Sequence, residues 1–70
     1  MTSLVDIDGF VIHATDKAWL FRWDADQEPT WIPKSVGEIY VGGTQTDDPP
    51  LDKMVQMTLP EKWAEEKGML

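Results

Sequence analysis

Phe10-Val11-Ile12-His13-Ala14-Thr15-Asp16-Lys17-Ala18-Trp19-Leu20-Phe21-Arg22-Trp23 is the stretch whose reading decides the fold. Residues 10–15 are β-branched and apolar, bounded by Gly9 and Asp16, and predict a strand. Val5 and Ile7 extend it backwards across a bend at Gly9. From Lys17 the period-2 alternation places Trp19, Phe21 and Trp23 on one face and Ala18, Leu20 and Arg22 on the other. The result is a β-rich chain whose large rings gather on one side of a sheet.

Outward from that stretch the pattern continues as a meander. Asp24-Ala25-Asp26-Gln27-Glu28-Pro29 is polar and turn-rich, and leads to a strand over Thr30 to Ser35. Pro33 has no amide hydrogen, which sends that strand to an edge or interrupts it. Ile39-Tyr40-Val41 is a further short β-like run, closed by Gly42-Gly43. Residues 44–50 carry no aliphatic or aromatic anchor other than prolines, so 44–52 reads as an acidic, flexible loop. Met54 to Leu59 is the last strand. Thr58-Leu59-Pro60-Glu61 has the pattern of a capping box, with Trp63, Ala64 and Lys67 at helical spacing and Gly68 as a stop. A helix over 59–68 is expected, too short to persist alone and pinned to the sheet by Trp63. The predicted class is β-rich α+β: one domain over 1–70, an antiparallel meander of four to five short strands and one C-terminal helix.

Seventy residues lie near the lower size limit for independent folding, and the chain has no cysteine. Disulfides and thiolate metal sites are excluded; dense aromatic packing or a homodimer must compensate. Four tryptophans answer that need, each able to bury on the order of 200 Å². No run approaches the roughly 18 apolar residues of a membrane span. The segment Met1 to Asp6 lacks the basic and apolar regions of a signal peptide, so a cytoplasmic location is expected. Net charge is −7. The excess lies in Asp6, Asp8 and Asp16 and in Glu38, Asp47, Asp48 and Asp52, while residues 17–36 and 53–70 balance.

Candidate chemistry divides by charge. The rings Trp19, Trp23 and Trp31, with Arg22 and Lys34, have the composition of a base-stacking platform. So small a chain needs its rings inside, however, and the overall charge opposes phosphate, so the core is the favoured reading. His13 has no second histidine or cysteine beside it, nor a nucleophile pattern, and reads as a structural strand histidine. Asp6-Ile7-Asp8-Gly9 lacks the later ligands of a calcium loop and reads as a turn with an aspartate cap. No residue pattern calls for a cofactor or a metal, and none spells out an enzyme.

Ala14-Thr15-Asp16-Lys17-Ala18-Trp19-Leu20, then Trp31-Ile32-Pro33-Lys34-Ser35, then Leu59-Pro60-Glu61-Lys62-Trp63-Ala64-Glu65-Glu66-Lys67-Gly68 together resemble a group of small uncharacterised phage and prophage proteins. The three pieces occur in matching order over about a third of the chain. The resemblance implies a mobile-element origin, a sheet with a terminal helix, and no known catalytic activity. The chain departs from that group in its acidic insertion around Asp47-Asp48-Pro49-Pro50.

Two functions follow as expectations. In the first, a non-enzymatic phage-type protein inhibits a host defence (in the manner of anti-CRISPR proteins) or another nucleic-acid-binding complex by laying Asp6, Asp8, Asp24, Asp26, Glu28, Asp47 and Asp48 into a basic groove. In the second, single-stranded nucleic acid stacks on Trp19, Trp23 or Trp31 with Arg22 and Lys34 on phosphates. Direct nucleic-acid binding ranks behind a protein or nucleoprotein partner.

Overall fold

The computed structural model describes residues 3–70, so the first two residues of the segment tested above for a signal peptide lie outside it. Six strands and one short helix follow in the order β1 (Leu4–Ala14), β2 (Ala18–Arg22), β3 (Thr30–Pro33), β4 (Glu38–Val41), β5 (Thr44–Thr46), β6 (Val55–Pro60) and α1 (Glu61–Glu66). All pairings are antiparallel, and the strand order is β3-β2-β1-β6-β4-β5. The meander therefore holds only through β3. β6 returns to lie between β1 and β4, a long-range pairing that local alternation does not specify.

β1 is the organising strand because it serves both halves of the sheet. Its first half pairs with β6 from Leu4↔Pro60 to Gly9↔Val55; its second half pairs with β2 from Phe10↔Arg22 onward. The changeover falls at Gly9. A Cβ there would stand 2.3 Å from the carbonyl oxygen of Arg22 and 2.7 Å from the Phe21 ring. Only glycine lets β2 approach so closely at that changeover. The segment 6–9 is thus strand, not the aspartate-capped turn expected from its composition.

Between Val11 and His13 the register against β2 slips by one residue, leaving Ile12 as a bulge. The bulge turns both Ile12 and His13 outward while Ala14 rejoins Trp19 in register. Inward side chains from both halves form one core: Val11, Trp19, Phe21 and Ile32 from β1–β3, and Ile39, Val55, Met57 and Leu59 from β4 and β6, with Ala64 and Met69 from the C-terminal segment. Trp19 is 1% exposed. Burying its roughly 200 Å² contributes on the order of 5 kcal/mol as an upper estimate. Trp23 and Trp63 are half-buried and Trp31 is exposed, so one indole, not most of them, lies fully inside.

The expected loop over 44–52 is shorter than its composition implied. Gly42 (φ 59°) and Gly43 (φ 85°) supply the two left-handed positions of a type I′ turn, and Thr44–Thr46 then pair with β4 as a sixth strand. Irregular chain begins at Asp47, and Pro49 within it is buried. The helix is also shorter than the expected 59–68. Its N-cap is Pro60, without a side-chain cap, and Thr58 belongs to β6, where its hydroxyl donates to Asp6 Oδ1 at 2.6 Å. Sheet pairing has overridden the capping box. The first helical amide, Glu61 N–H, is satisfied instead by the carbonyl of Ser3 at 2.8 Å. At the other end Gly68 (φ 76°) does stop the helix. The Gly68 amide donates to Glu65 O and the Met69 amide to Ala64 O, a Schellman motif that seats Met69 against the core. Ala64 is the buried helix residue; Trp63 packs beside it, half-covered, with Lys67 Nζ 5.4 Å from its ring centroid.

Candidate interaction surfaces

On either side of Gly9, where β1 changes partner, the outer faces of the two half-sheets differ in chemistry. On the β1–β6–β4 half, Asp6 and Asp8 alternate outward along β1, opposite Thr58 and Gln56 of β6. Across β6, Thr58 faces Glu38 and Gln56 faces Tyr40 of β4. Asp6, Asp8 and Glu38 are all exposed, in rows that span three neighbouring strands. Tyr40 Oη donates to Glu38 Oε2 at 2.6 Å. That hydrogen bond favours the neutral phenol and, with desolvation and the charges of Glu38 and Asp6 behind it, holds Tyr40 above its ordinary value of 10.0. Glu38 and Tyr40 were not anticipated as parts of a site. A period-2 reading of residues 38–41 carries that alternation, but only the β4–β6 register places it beside Asp6.

The outer face of β1–β2–β3 is apolar. Phe10 and Ile12 (each 39% exposed) project from β1, Leu20 lies on β2, and Trp31 (46% exposed) stands opposite Leu20 on β3. His13 packs edge-to-face on Trp31 with centroids 6.0 Å apart. Arg22, opposite Phe10, is the one ion on this face.

The expected aromatic site is therefore not one site. Trp19 points into the core, where its Nε1 donates to the carbonyl of Asp47 at 3.2 Å. Lys34 lies over that ring at 5.5 Å from the centroid. Trp31, one residue before the buried Ile32, faces the opposite way. Trp23 follows the end of β2, half-buried, and Arg22 is exposed. Alternation along β3 carries Trp31 away from Trp19, and the exposed row is Phe10, Ile12, Leu20 and Trp31 instead.

The expected acidic residues fall into two groups. Asp6 and Asp8 share the β1 face, and Asp24 joins Asp8 around a cleft of about 300 Å³. Asp26 and Glu28 are exposed in the adjoining β2–β3 turn, which Asp24 shapes by accepting from the Asp26 amide through Oδ1 at 2.9 Å. Asp47 and Asp48 are exposed at the other end of β2, where the Asp47 carbonyl meets Trp19. Among the described residues no three His, Asp or Glu side chains converge to hold a metal ion. No helix among them is long and apolar enough to cross a membrane.

Comparison with protein-family models, curated proteins and solved structures gives no match.

Proposed function

We propose that the chain is a non-enzymatic, phage-type interaction protein acting in the host cytoplasm, one that inhibits a host defence or nucleic-acid-binding complex by placing its acidic surface in a basic groove. The observation that carries this reading is how the charges are used. Lys34 and Lys67 lie over indole rings, while Asp6, Asp8 and Glu38 stand exposed on one open sheet face and Asp24, Asp26 and Glu28 project from the turn beside it. Exposed carboxylates at sheet spacing resemble the irregular anionic contour of a nucleic-acid backbone, and their long-range field speeds encounter with a basic partner.

The test is a pull-down from host lysate at rising ionic strength with three proteins: wild type, Asp6→Lys with Asp8→Lys, and Asp47→Lys with Asp48→Lys. The proposal expects a nucleic-acid-binding complex that is captured by wild type, released by salt, and lost from the first variant while its melting temperature stays near wild type. Full capture by both variants refutes phosphate mimicry.

The outer face of β1–β2–β3 favours one second reading, a single-stranded nucleic-acid platform on Phe10 and Trp31 with Arg22 beside them. Tryptophan fluorescence titrated with oligonucleotides at low salt separates the two. Quenching that fades as salt rises supports the platform, and a flat titration removes it.

A further inference from the structure

A cleft lies where β1 changes partner. β1–β6 pairing ends at Gly9↔Val55 and β1–β2 pairing begins at Phe10↔Arg22, so on the two flanks of β1 the paired length of β6 stops where that of β2 starts. The cleft at that changeover holds about 300 Å³ and is lined chiefly by Asp8, Phe10, Arg22, Trp23, Asp24 and Met54. By volume that is room for roughly ten waters at ~30 Å³ each, the scale of one long side chain rather than a cofactor.

Its walls are chemically mixed in an instructive way. Phe10 and Trp23 bring aromatic rings and Met54 a polarisable thioether to the lining, to which Asp8, Asp24 and Arg22 add two carboxylates and one guanidinium. An apolar side chain would leave Asp8 and Asp24 to be desolvated without partners, which is costly. An acidic one would meet them as like charges. A long cationic side chain satisfies both parts: its methylenes cover the rings and its head meets the carboxylates. Arginine suits the cleft better than lysine, since a planar guanidinium stacks on an aromatic face and donates in a fork to a carboxylate. Arg22 is a like charge to such a head, but the two carboxylates outnumber it in the lining.

We infer that the cleft beside Gly9, lined by Asp8, Phe10, Trp23 and Asp24, is an anchor site for an arginine side chain presented by a protein partner. This rests on the acidic-surface reading above and names where on that surface the partner is gripped. Asp8, from the N-terminal strand, and Asp24, from the first long turn, come to one site through the β1–β2 pairing at Phe10↔Arg22.

The probe is N-acetyl-L-arginine amide, with its neutral isostere N-acetyl-L-citrulline amide as control, titrated against ¹⁵N-labelled protein while the Trp23 indole N–H resonance is followed. The expected result is a saturable shift of that resonance with a dissociation constant on the order of 1 mM, as befits so small a ligand. Citrulline should bind at least about tenfold more weakly, as should arginine to the Asp8→Asn, Asp24→Asn double variant. Asparagine at 24 keeps an acceptor for the Asp26 amide, and an unchanged melting temperature checks that fold. A still Trp23 resonance, equal binding of citrulline, or full binding by the double variant overturns the assignment. An oligoarginine peptide separates this failure from that of the broader reading. If it binds in a salt-dependent way that Asp8→Asn with Asp24→Asn leaves untouched, the cleft is refuted and the acidic surface stands. If it fails to bind even at low salt, both are refuted.

Discussion

Gly9→Ala should be the most damaging one-methyl change in the chain. The new Cβ would lie 2.3 Å from the Arg22 carbonyl oxygen and 2.7 and 3.0 Å from two carbons of the Phe21 ring. Comfortable separation for such atoms is about 3.5 Å, so the backbone would have to open by about 1 Å. Neither neighbour yields easily. The oxygen belongs to β2 at its Phe10↔Arg22 pairing, and Phe21 has no exposed surface at all. Overpacking a core costs about 1–3 kcal/mol and sometimes more; two immobile contacts place this case at about 3 kcal/mol or above. A 70-residue domain has only about 3.5–10 kcal/mol in total, at 0.05–0.15 kcal/mol per residue. The melting temperature should fall by about 12–24 °C, at about 4–8 °C per kcal/mol.

Thermal denaturation followed by far-ultraviolet circular dichroism measures this directly. Gly37→Ala is the matched control, because that glycine is buried too but its Cβ would meet Met57 Sδ at 2.9 Å, an atom on a flexible side chain, and backbone only at 3.3 Å. Gly37→Ala should cost about 1 kcal/mol, at the low end of the same range. A Gly9→Ala protein melting within about 4 °C of wild type, or no worse than Gly37→Ala, would refute the claim that close approach at this position requires glycine.

Three further outcomes follow from the same geometry. Ile32→Ala should cost about 2–5 kcal/mol and its neighbour Trp31→Ser less than about 1 kcal/mol, and urea titration reads both; equal losses would contradict the outward placement of Trp31. Trp19→Phe should cost about 2 kcal/mol, from lost ring area and from an Asp47 carbonyl left without its donor; the ¹⁵N spectrum should lose the one indole resonance that is protected from solvent exchange. Tyr40 should ionise above pH 10.0 in near-ultraviolet absorbance titration, and Glu38→Ala should bring it back toward that value. Because the folded-state value is raised, the stability this contact adds is fully present below the unfolded value and is lost as pH climbs through the folded one. A Tyr40 titration that ignores Glu38 would remove the contact.

Strand identity was legible wherever apolar residues alternate: β1, β2, β4 and β6 announce themselves, and β1 runs through Gly9 without interruption. Three features were not legible, each for a physical reason. Thr44-Gln45-Thr46 has no apolar member, so only the twin left-handed glycines before it signal a hairpin, and composition outweighed them. Thr58-Leu59-Pro60-Glu61 satisfies a local helix-start pattern, but Met57 and Leu59 gain more by staying in the β6 ladder with both side chains buried. Trp31 belongs to a strand with too few residues to reveal its phase, and the register against Leu20 decides it. The carboxylates could be counted but not arranged: Asp8 and Asp24 are separated by a strand and a half of sequence, and Glu38 joins Asp6 only across β6.

The division of the surface follows from the fold's economy of length. In a cysteine-free chain this small one strand serves both halves of the sheet: β1 pairs with β6 up to Gly9 and with β2 from Phe10 onward. Each face can then be apolar or acidic without compromising the common core, because alternation isolates outer from inner residues along every strand. Asp6 and Asp8 occupy outer positions before Gly9, Phe10 and Ile12 occupy outer positions after it, and the change of character coincides with the change of partner strand. Moving Asp8's charge to position 12, as Asp8→Asn with Ile12→Asp, preserves net charge and leaves every buried residue in place. Solubility should be unchanged, and binding of a basic partner should fall with the single variant Asp8→Asn. If the transplanted carboxylate restores binding in full, only total charge matters and the position of Asp8 has no part in recognition.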